Sequence, residues 1–422
     1  MNHRSALLGC ALLLLACGSQ RPITRNNFAP QYSVGGEDLH LDARLHLATP
    51  DHGTIYFRLR TRELLYKSGA GGPPYEAAVR VSYQAFSDPG LRQLIDSSST
   101  FVGDRTDDPQ ADQELLGSME MRRVESQRFW LRVSAYDLVR DALSDLVIEV
   151  DQGAAGTRLA FLPQSAATGR PYFDDHLMPG TTVLVRCDRF ARQRLYCDRY
   201  AAVTALPPPV FSLGSIAALD TDPDSTFTVV VDSTGTFTHT LVRPGRYHFR
   251  PDPSSSEGFT LFAFTDAYPE VATVGAMLPA LRYITSMQEF DNMSHATDRR
   301  KAIERFWLDA TGGRDRARDA IRAYYRRVES ANRHFTGLVE GWRSDRGLVH
   351  IIFGTPNTVY RGPNNETWIY GEETNLMSLT FTFVRRNDPF SANDLVLERD
   401  PVFKAAWYRN VESWRNGRVL QN

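Results

Sequence analysis

Lysine is nearly absent. Among 48 basic residues in a chain of 422, only Lys67, Lys301 and Lys404 are lysines. None lies three residues after a serine, which argues against the Ser-Lys hydrolases, and none closes a phosphate-binding P-loop. Net charge is missing too: 50 acidic residues offset the bases to leave −2, so the one-sided basic excess of a nucleic-acid binder is not there. The preference for arginine reads as compositional bias, because no arginine cluster sits beside a glycine-rich phosphate loop. Cysteine is scarce, with four in the chain. Cys187 and Cys197 have neither a histidine nor a third cysteine near them, so a zinc site is not expected. The sequence has no G-x-S-x-G elbow, no H-E-x-x-H and no G-x-G-x-x-G. No apolar run approaches the roughly 20 residues that a membrane-spanning helix needs. No cofactor and no metal are expected.

The first seventeen residues are the most informative part of what is present. MNHR supplies a short positive start, ALLGCALLLLA an apolar run of eleven, and 14-LLAC-17 ends it. A run this short reads as the core of a secretory signal. Its ending resembles a bacterial lipobox, the signal cut before a lipid-modified cysteine. By that resemblance residues 1–17 are a lipoprotein signal peptide, and Cys17 becomes an acylated N-terminus that anchors the protein to a membrane. Gly18 stands where an aspartate would resemble an inner-membrane retention signal. The expected location is therefore the outer membrane, lipid-anchored and on its periplasmic face. Residues 18–38, rich in Gly, Pro and Asn, read as a flexible tether.

From residue 39 the pattern alternates with period two. Segments 39–47, 54–64, 75–86 and 127–138 are clear strands, and 97–102, 116–124 and 143–151 are weaker ones. Seven short strands over residues 39–152 are the count and spacing of an immunoglobulin-like β-sandwich. Residues 153–272 are strand-rich again and predict a second β-domain. Within it, 183-VLVRCDRFARQRLYCDRY-200 reads as two strands joined by a polar turn. An exported protein meets an oxidising compartment, so Cys187 and Cys197 form either a cross-hairpin disulfide or a pair of buried thiols. The run 206-LPPPVFSLG-214 is an edge-strand entry or a linker.

After residue 272 the period changes to that of helices, near 278–290, 297–309 and 314–340. In the last of these Ala317, Ile321, Tyr324, Val328, Ala331, Phe335 and Leu338 form one apolar stripe, for packing on a sheet or on a partner helix. A final helix is delimited by Asp400 as N-cap, Pro401 in the first turn and Gly417 past the end. Residues 273–422 thus read as an α+β domain that completes a multidomain chain, all-β at its N-terminal side. Between the last two helices lies 341-GWRSDRGLVHIIFGTP-356. Gly341 is expected to end the long helix with positive φ, Asp345-Arg346-Gly347 to reverse the chain, and residues 348–353 to form a central strand stopped by Gly354-Thr355-Pro356.

That stretch resembles the signature of the GWxTD-domain family of bacterial, Bacteroidetes-type, lipoproteins. Gly341, Trp342, Asp345, Arg346, Gly347, Gly354 and Pro356 match it, and Ser344 replaces the usual threonine while keeping the hydroxyl. The resemblance covers residues 280–422 and carries no established activity with it.

Three function classes remain. Catalysis needs a constellation, and Asp345, Arg346 and His350, with His334 upstream, form one only if they converge. The loop 173-FDDH-176 is a second polar set, and 220-DTDPDS-225 lacks the glycine and bidentate acid of a calcium loop. A structural spacer is the second class. A binding or scaffold protein, lipid-anchored in the envelope with a protein partner there, fits the absent motifs and the modular layout best.

Overall fold

Alternating side chains build much of the N-terminal half, most plainly in the strands at residues 52–60 and 128–137, where every second residue is buried. The computed structural model describes residues 27–32, 39–49, 52–69, 72–122, 124, 126–152, 158–213, 222–265, 267–362, 364–386 and 388–418. The signal segment, Cys17 and residues 18–26 and 33–38 lie outside the described residues.

The first domain holds β1 (Asp42–Thr49), β2 (His52–Arg60), β3 (Lys67–Gly69), β4 (Gly72–Phe86), β5 (Leu94–Thr106), β6 (Glu114–Arg122), β7 (Arg128–Asp137) and β8 (Ala142–Asp151). β1, β2 and β6 form one antiparallel sheet in that order. In the other, β4 carries β5 along one edge and β3 then β7 along the opposite edge, with β8 beyond β7. Ile55, Phe57 and Leu59 of one sheet share a core with Val79, Val81, Leu131 and Val133 of the other. Each such buried side chain contributes about 1.5–3 kcal/mol. The sandwich predicted from period two is present, and only the three-residue β3 had no sequence signal.

The second domain is also two-layered. Its strands are β9 (Leu162–Ser165), β10 (His176–Leu177), β11 (Thr182–Arg186), β12 (Arg194–Ala201), β13 (Ser225–Val230), β14 (Thr236–Thr240), β15 (Gly245–Arg250) and β16 (Phe259–Ala263). β14, β11 and β9 form one sheet; β10, β16, β15, β12 and β13 form the other. This corrects the hairpin reading of Cys187 and Cys197. A 3-10 turn at Asp188–Phe190 carries the chain from one sheet to the other, so β11 and β12 do not pair. Both cysteines are free, fully buried thiols in the core between the layers. Burial pushes the Cys187 thiol up to about 12 and raises that of Cys197 as well.

The C-terminal domain contains α1 (Val274–Ala280), α2 (Met287–Ser294), α3 (Arg299–Thr311), α4 (Arg314–Phe335), α5 (Asp345–Phe353), β17 (Thr358–Arg361), β18 (Asn365–Tyr370), β19 (Leu379–Arg385), β20 (Leu395–Leu397) and α6 (Lys404–Arg415). Its four strands form one antiparallel sheet in sequence order. The apolar stripe of α4 packs inward, with Ala317, Tyr324, Val328, Ala331 and Phe335 buried in the core that also takes Trp368, Phe381 and Phe383 from the sheet. α4 stops at Phe335, short of the predicted residue 340. The last helix starts as the sequence indicates: Asp400 caps a 3-10 turn at Pro401–Phe403 by accepting from Val402 N, and α6 follows.

The segment expected to be a tether, and the proline run read as an edge-strand entry or a linker, are parts of this core. Phe28, Ala29 and Tyr32, in the stretch read as a flexible tether, are buried among C-terminal residues. Phe28 N donates to Val359 O at 3.0 Å, Asn27 Oδ1 accepts from Val359 N at 2.9 Å, and the Tyr32 ring lies edge-on to Phe335 at 4.9 Å. In the proline run, Val210 is fully buried and its carbonyl accepts from Asp400 N, while Pro208 O accepts from Arg399. Flexible composition is a weak guide where three or four apolar side chains find a groove.

Candidate functional site

The signature begins with two glycines chosen for closeness. A Cβ on Gly341 would lie 2.0 Å from Ala331 O in α4, and one on Gly347 would lie 2.0 Å from Gly341 O. Neither glycine has positive φ, so the predicted left-handed cap at Gly341 is replaced by tight packing of three backbones. Gly341–Arg343 is a 3-10 turn, and Trp342 is held there by Asn332 Oδ1, which accepts its N–H at 3.0 Å, and by Tyr283 OH, which donates to its carbonyl at 2.9 Å.

The segment expected to be a central strand is the helix α5. Ser344 is its N-cap, accepting from Gly347 N at 3.0 Å. Residues 348–352 are all buried, and a helix apolar on every side is as continuous in sequence as a strand apolar on both faces. Gly354, at φ 86°, ends it in the left-handed region, with the Arg327 guanidinium close by. Pro356 follows, buried, before β17.

Asp345, Arg346 and His350 do not converge. Asp345 accepts from Leu397 N at 2.8 Å and pairs with Arg399. Arg346 donates to Asn393 O at 2.7 Å and lies 3.5 Å from Glu366. His350 Nε2 faces Ser330 Oγ at 3.1 Å. All are buried, His350 completely. Burial drives the His350 imidazole well below its usual value and Arg327 drives it further, the reverse of a triad in which a carboxylate supports the base. The Ser330–His350 pair, and Thr260–His248 at 2.8 Å, have nucleophile–base spacing, but all four residues are buried and neither histidine has a carboxylate within hydrogen-bond distance to support it as a base. His334 packs between Tyr32 and Phe335 instead of joining such a set.

The centre of the domain is a charged cluster whose carboxylate, Glu366, is absent from the sequence-based candidates. Glu366, on β18, lies 3.5 Å from Arg346 and 3.3 Å from Arg361, and accepts from Tyr32 OH at 2.9 Å and Trp368 Nε1 at 2.6 Å. Burial alone would raise its carboxyl, but Arg346 and Arg361 outweigh burial and hold it below the usual range. Its sequence signal was phase: Glu366 alternates with Trp368 on the inward face of a strand.

The loop 173–176 lies elsewhere, in a cleft of about 230 Å³ between the second domain and the C-terminal one. Asp174, His176, Thr260, Arg333, Ser391 and Asn393 contribute to its wall. Asp175 pairs with Arg44 at 2.6 Å and Arg58 covers the Phe173 ring at 4.9 Å, so the loop also ties the first two domains together. His176 meets the Tyr268 ring edge-on, and burial lowers its imidazole. This volume is below the roughly 300–1,000 Å³ of small-molecule sites. In the run at 220–225, residues 220 and 221 lie outside the described residues, and Asp224 pairs with Arg199. Among the described residues no cluster of metal-ligating side chains occurs.

Buried neutral histidines give the fold a pH dependence. Burial lowers His46 and His248 to about 4, with His46 Nε2 facing Ala160 O and His248 Nε2 facing Ser256 O. The unfolded chain takes up these protons near pH 6.5, so between about 6.5 and 4 it binds more protons than the folded chain. Stability is therefore expected to fall on acidification through that window, by on the order of 2–3 kcal/mol per histidine. Urea midpoints against pH check this: His248→Gln should flatten the slope.

Residues 245–416 match the GWxTD domain family. The match begins at Gly245, the first residue of β15, and so takes in the last two strands of the second β-domain. No curated protein matches. Among solved structures, the major pilin subunit of Bacillus cereus overlaps 50% of this chain and 58% of its own at 10% identity and a TM-score of 0.16. Red sea bream transglutaminase overlaps 54% and 31% at 11% identity and 0.19, and CBD12 from CALX1.2 overlaps 60% and 92% at 10% and 0.16. This chain thus spans less than two thirds of the pilin and of the transglutaminase, and overlaps this slight carry no functional argument.

Proposed function

From the GWxTD domain that this chain carries in residues 245–416, we propose a lipid-anchored envelope protein that binds or scaffolds a protein partner without catalysing a reaction. It is attached through acyl chains on Cys17 to the periplasmic face of the outer membrane. The observation that carries the reading is the fate of the signature. Ser344 caps a helix, Asp345 holds Arg399, Arg346 holds Glu366 and His350 faces Ser330, all of them inside the domain. What remains for the outside is the surface of three packed domains.

The test is crosslinking in intact cells followed by affinity purification, comparing the wild type with Cys17→Ala. A defined envelope protein captured by the wild type and lost without the anchor is the expected result. Equal capture by both forms, or none by either, contradicts the reading.

A further inference from the structure

The β18–β19 hairpin presents a surface that the signature does not explain. Its tip, residues 371–378, holds Leu376 fully exposed and Met377 87% exposed. The tip is built to keep them out: Asn375 N donates to Glu372 O, Ser378 N to Asn375 O and Met377 N to Asn375 Oδ1, at 3.0, 3.0 and 2.9 Å. Ser378 Oγ adds a bond to Glu372 O at 2.7 Å. A loop with nothing to present has no reason to hold two adjacent apolar side chains in water.

The N-terminal segment is tied to the base of this tip. Asn27 Nδ2 donates to Asn357 O at 2.9 Å, and Asn357 Oδ1 accepts from Gly371 N, the first residue of the tip, at 2.7 Å. One residue thus joins the first described residue of the chain to the base of the hairpin. Nine residues lie between Cys17 and Asn27, and the ten residue steps they span reach at most about 35 Å when fully extended. The bound holds for any conformation of those residues.

We propose that the Leu376–Met377 tip inserts into the lipid surface to which Cys17 is anchored, so that the C-terminal domain stands next to the membrane and the β-domains stack away from it. The proposal rests on the acylation of Cys17 in the reading above. A convex tip of two side chains offers far less than the roughly 1,000 Å² that a specific protein interface buries, but it suits the boundary between headgroups and acyl chains. It need not bind strongly by itself, since the anchor makes its encounter with lipid intramolecular. Glu372 and Glu373, on the N-terminal side of the tip, select a zwitterionic surface over an anionic one.

The test uses the full acylated chain reconstituted in vesicles of phosphatidylcholine and phosphatidylethanolamine. Met377→Cys and, as control, Phe101→Cys on β5 each receive an environment-sensitive fluorophore. Cys187 and Cys197 are buried and unreactive, and an acylated Cys17 has no free thiol. Nitroxide-bearing lipid should quench the label at 377 several-fold more than the label at 101. Equal quenching at both positions, or none at 377 in a chain that floats with vesicles, overturns the proposal. Protection of 377 from aqueous iodide without quenching by lipid does so in favour of a protein partner. A chain that neither floats nor carries acyl mass on its N-terminal peptide removes the anchor, and the proposal with it.

Discussion

Glu366→Ala is expected to destabilise the C-terminal domain by about 3–5 kcal/mol, the cost of breaking a buried ion pair by removing one partner. The deletion takes away the only carboxylate within 4.0 Å of Arg346 among the described residues, together with the acceptor for Trp368 Nε1. The Tyr32 hydroxyl loses its carboxylate partner as well, which loosens the hold on the N-terminal segment from a distance of 334 residues in sequence. Glu366→Gln keeps an acceptor oxygen but removes the charge, so its cost should fall between wild type and alanine. Urea unfolding followed by tryptophan fluorescence measures both, because Trp368 itself reports on the site. A loss under 1 kcal/mol for the alanine variant would mean that water enters and solvates the arginines.

Gly347→Ala should cost about 3 kcal/mol or more, against the sign that helix propensity gives. In an exposed helix the same change gains up to about 1 kcal/mol. Here the new Cβ would lie 2.0 Å from Gly341 O, 2.9 Å from its carbonyl carbon and 3.0 Å from Trp342 Cα. Those atoms are backbone, so no side chain can swing aside, and the cost lies at or beyond the upper end of the 1–3 kcal/mol usual for overpacking. Gly341→Ala should behave alike, because its Cβ would meet Ala331 O in α4. The same denaturation curves decide it: a Gly347→Ala protein as stable as the wild type would show that the 3-10 turn and α5 separate easily, and the signature would lose its structural explanation.

These two glycines mark the boundary of what the sequence discloses. The alternation of β1 to β8 and the inward stripe of α4 are local patterns, and local patterns are legible. The Asp400–Pro401 start of the last helix is equally local. Residues 348–353 were not legible by period, because five apolar residues around a single histidine suit a buried helix and a buried strand alike. The deciding signal stood just before it: Ser344 followed three residues later by Gly347 N, a cap closed by a residue small enough to sit under Gly341. Cys187 and Cys197 misled because a short polar turn looks the same whether it joins paired strands or carries the chain between layers. The contacts of Tyr32 with Glu366 and of Val210 with Asp400 had no local signature at all. They depend on which surface groove remains open after the C-terminal domain has packed. For the candidate site the lesson is sharper. Asp345, Arg346 and His350 stand out in the sequence as a possible acid/base set, but the partners that give them their roles, Arg399, Glu366 and Ser330, lie 54, 20 and 20 residues away.

The central claim is that the polar residues of the signature hold the domain together and are not what a partner contacts. Its most direct test is the in-cell crosslinking capture repeated on a chain carrying Asp345→Asn and Arg399→Gln together. The paired change removes both charges yet leaves groups that can bond to each other and to Leu397 N. Near-UV circular dichroism establishes that the variant is folded. The account predicts that the folded variant captures the same partner as the wild type, in the same amount. A variant that is fully folded yet captures nothing would contradict it, and would return Asp345 to the list of residues that act on something other than the fold.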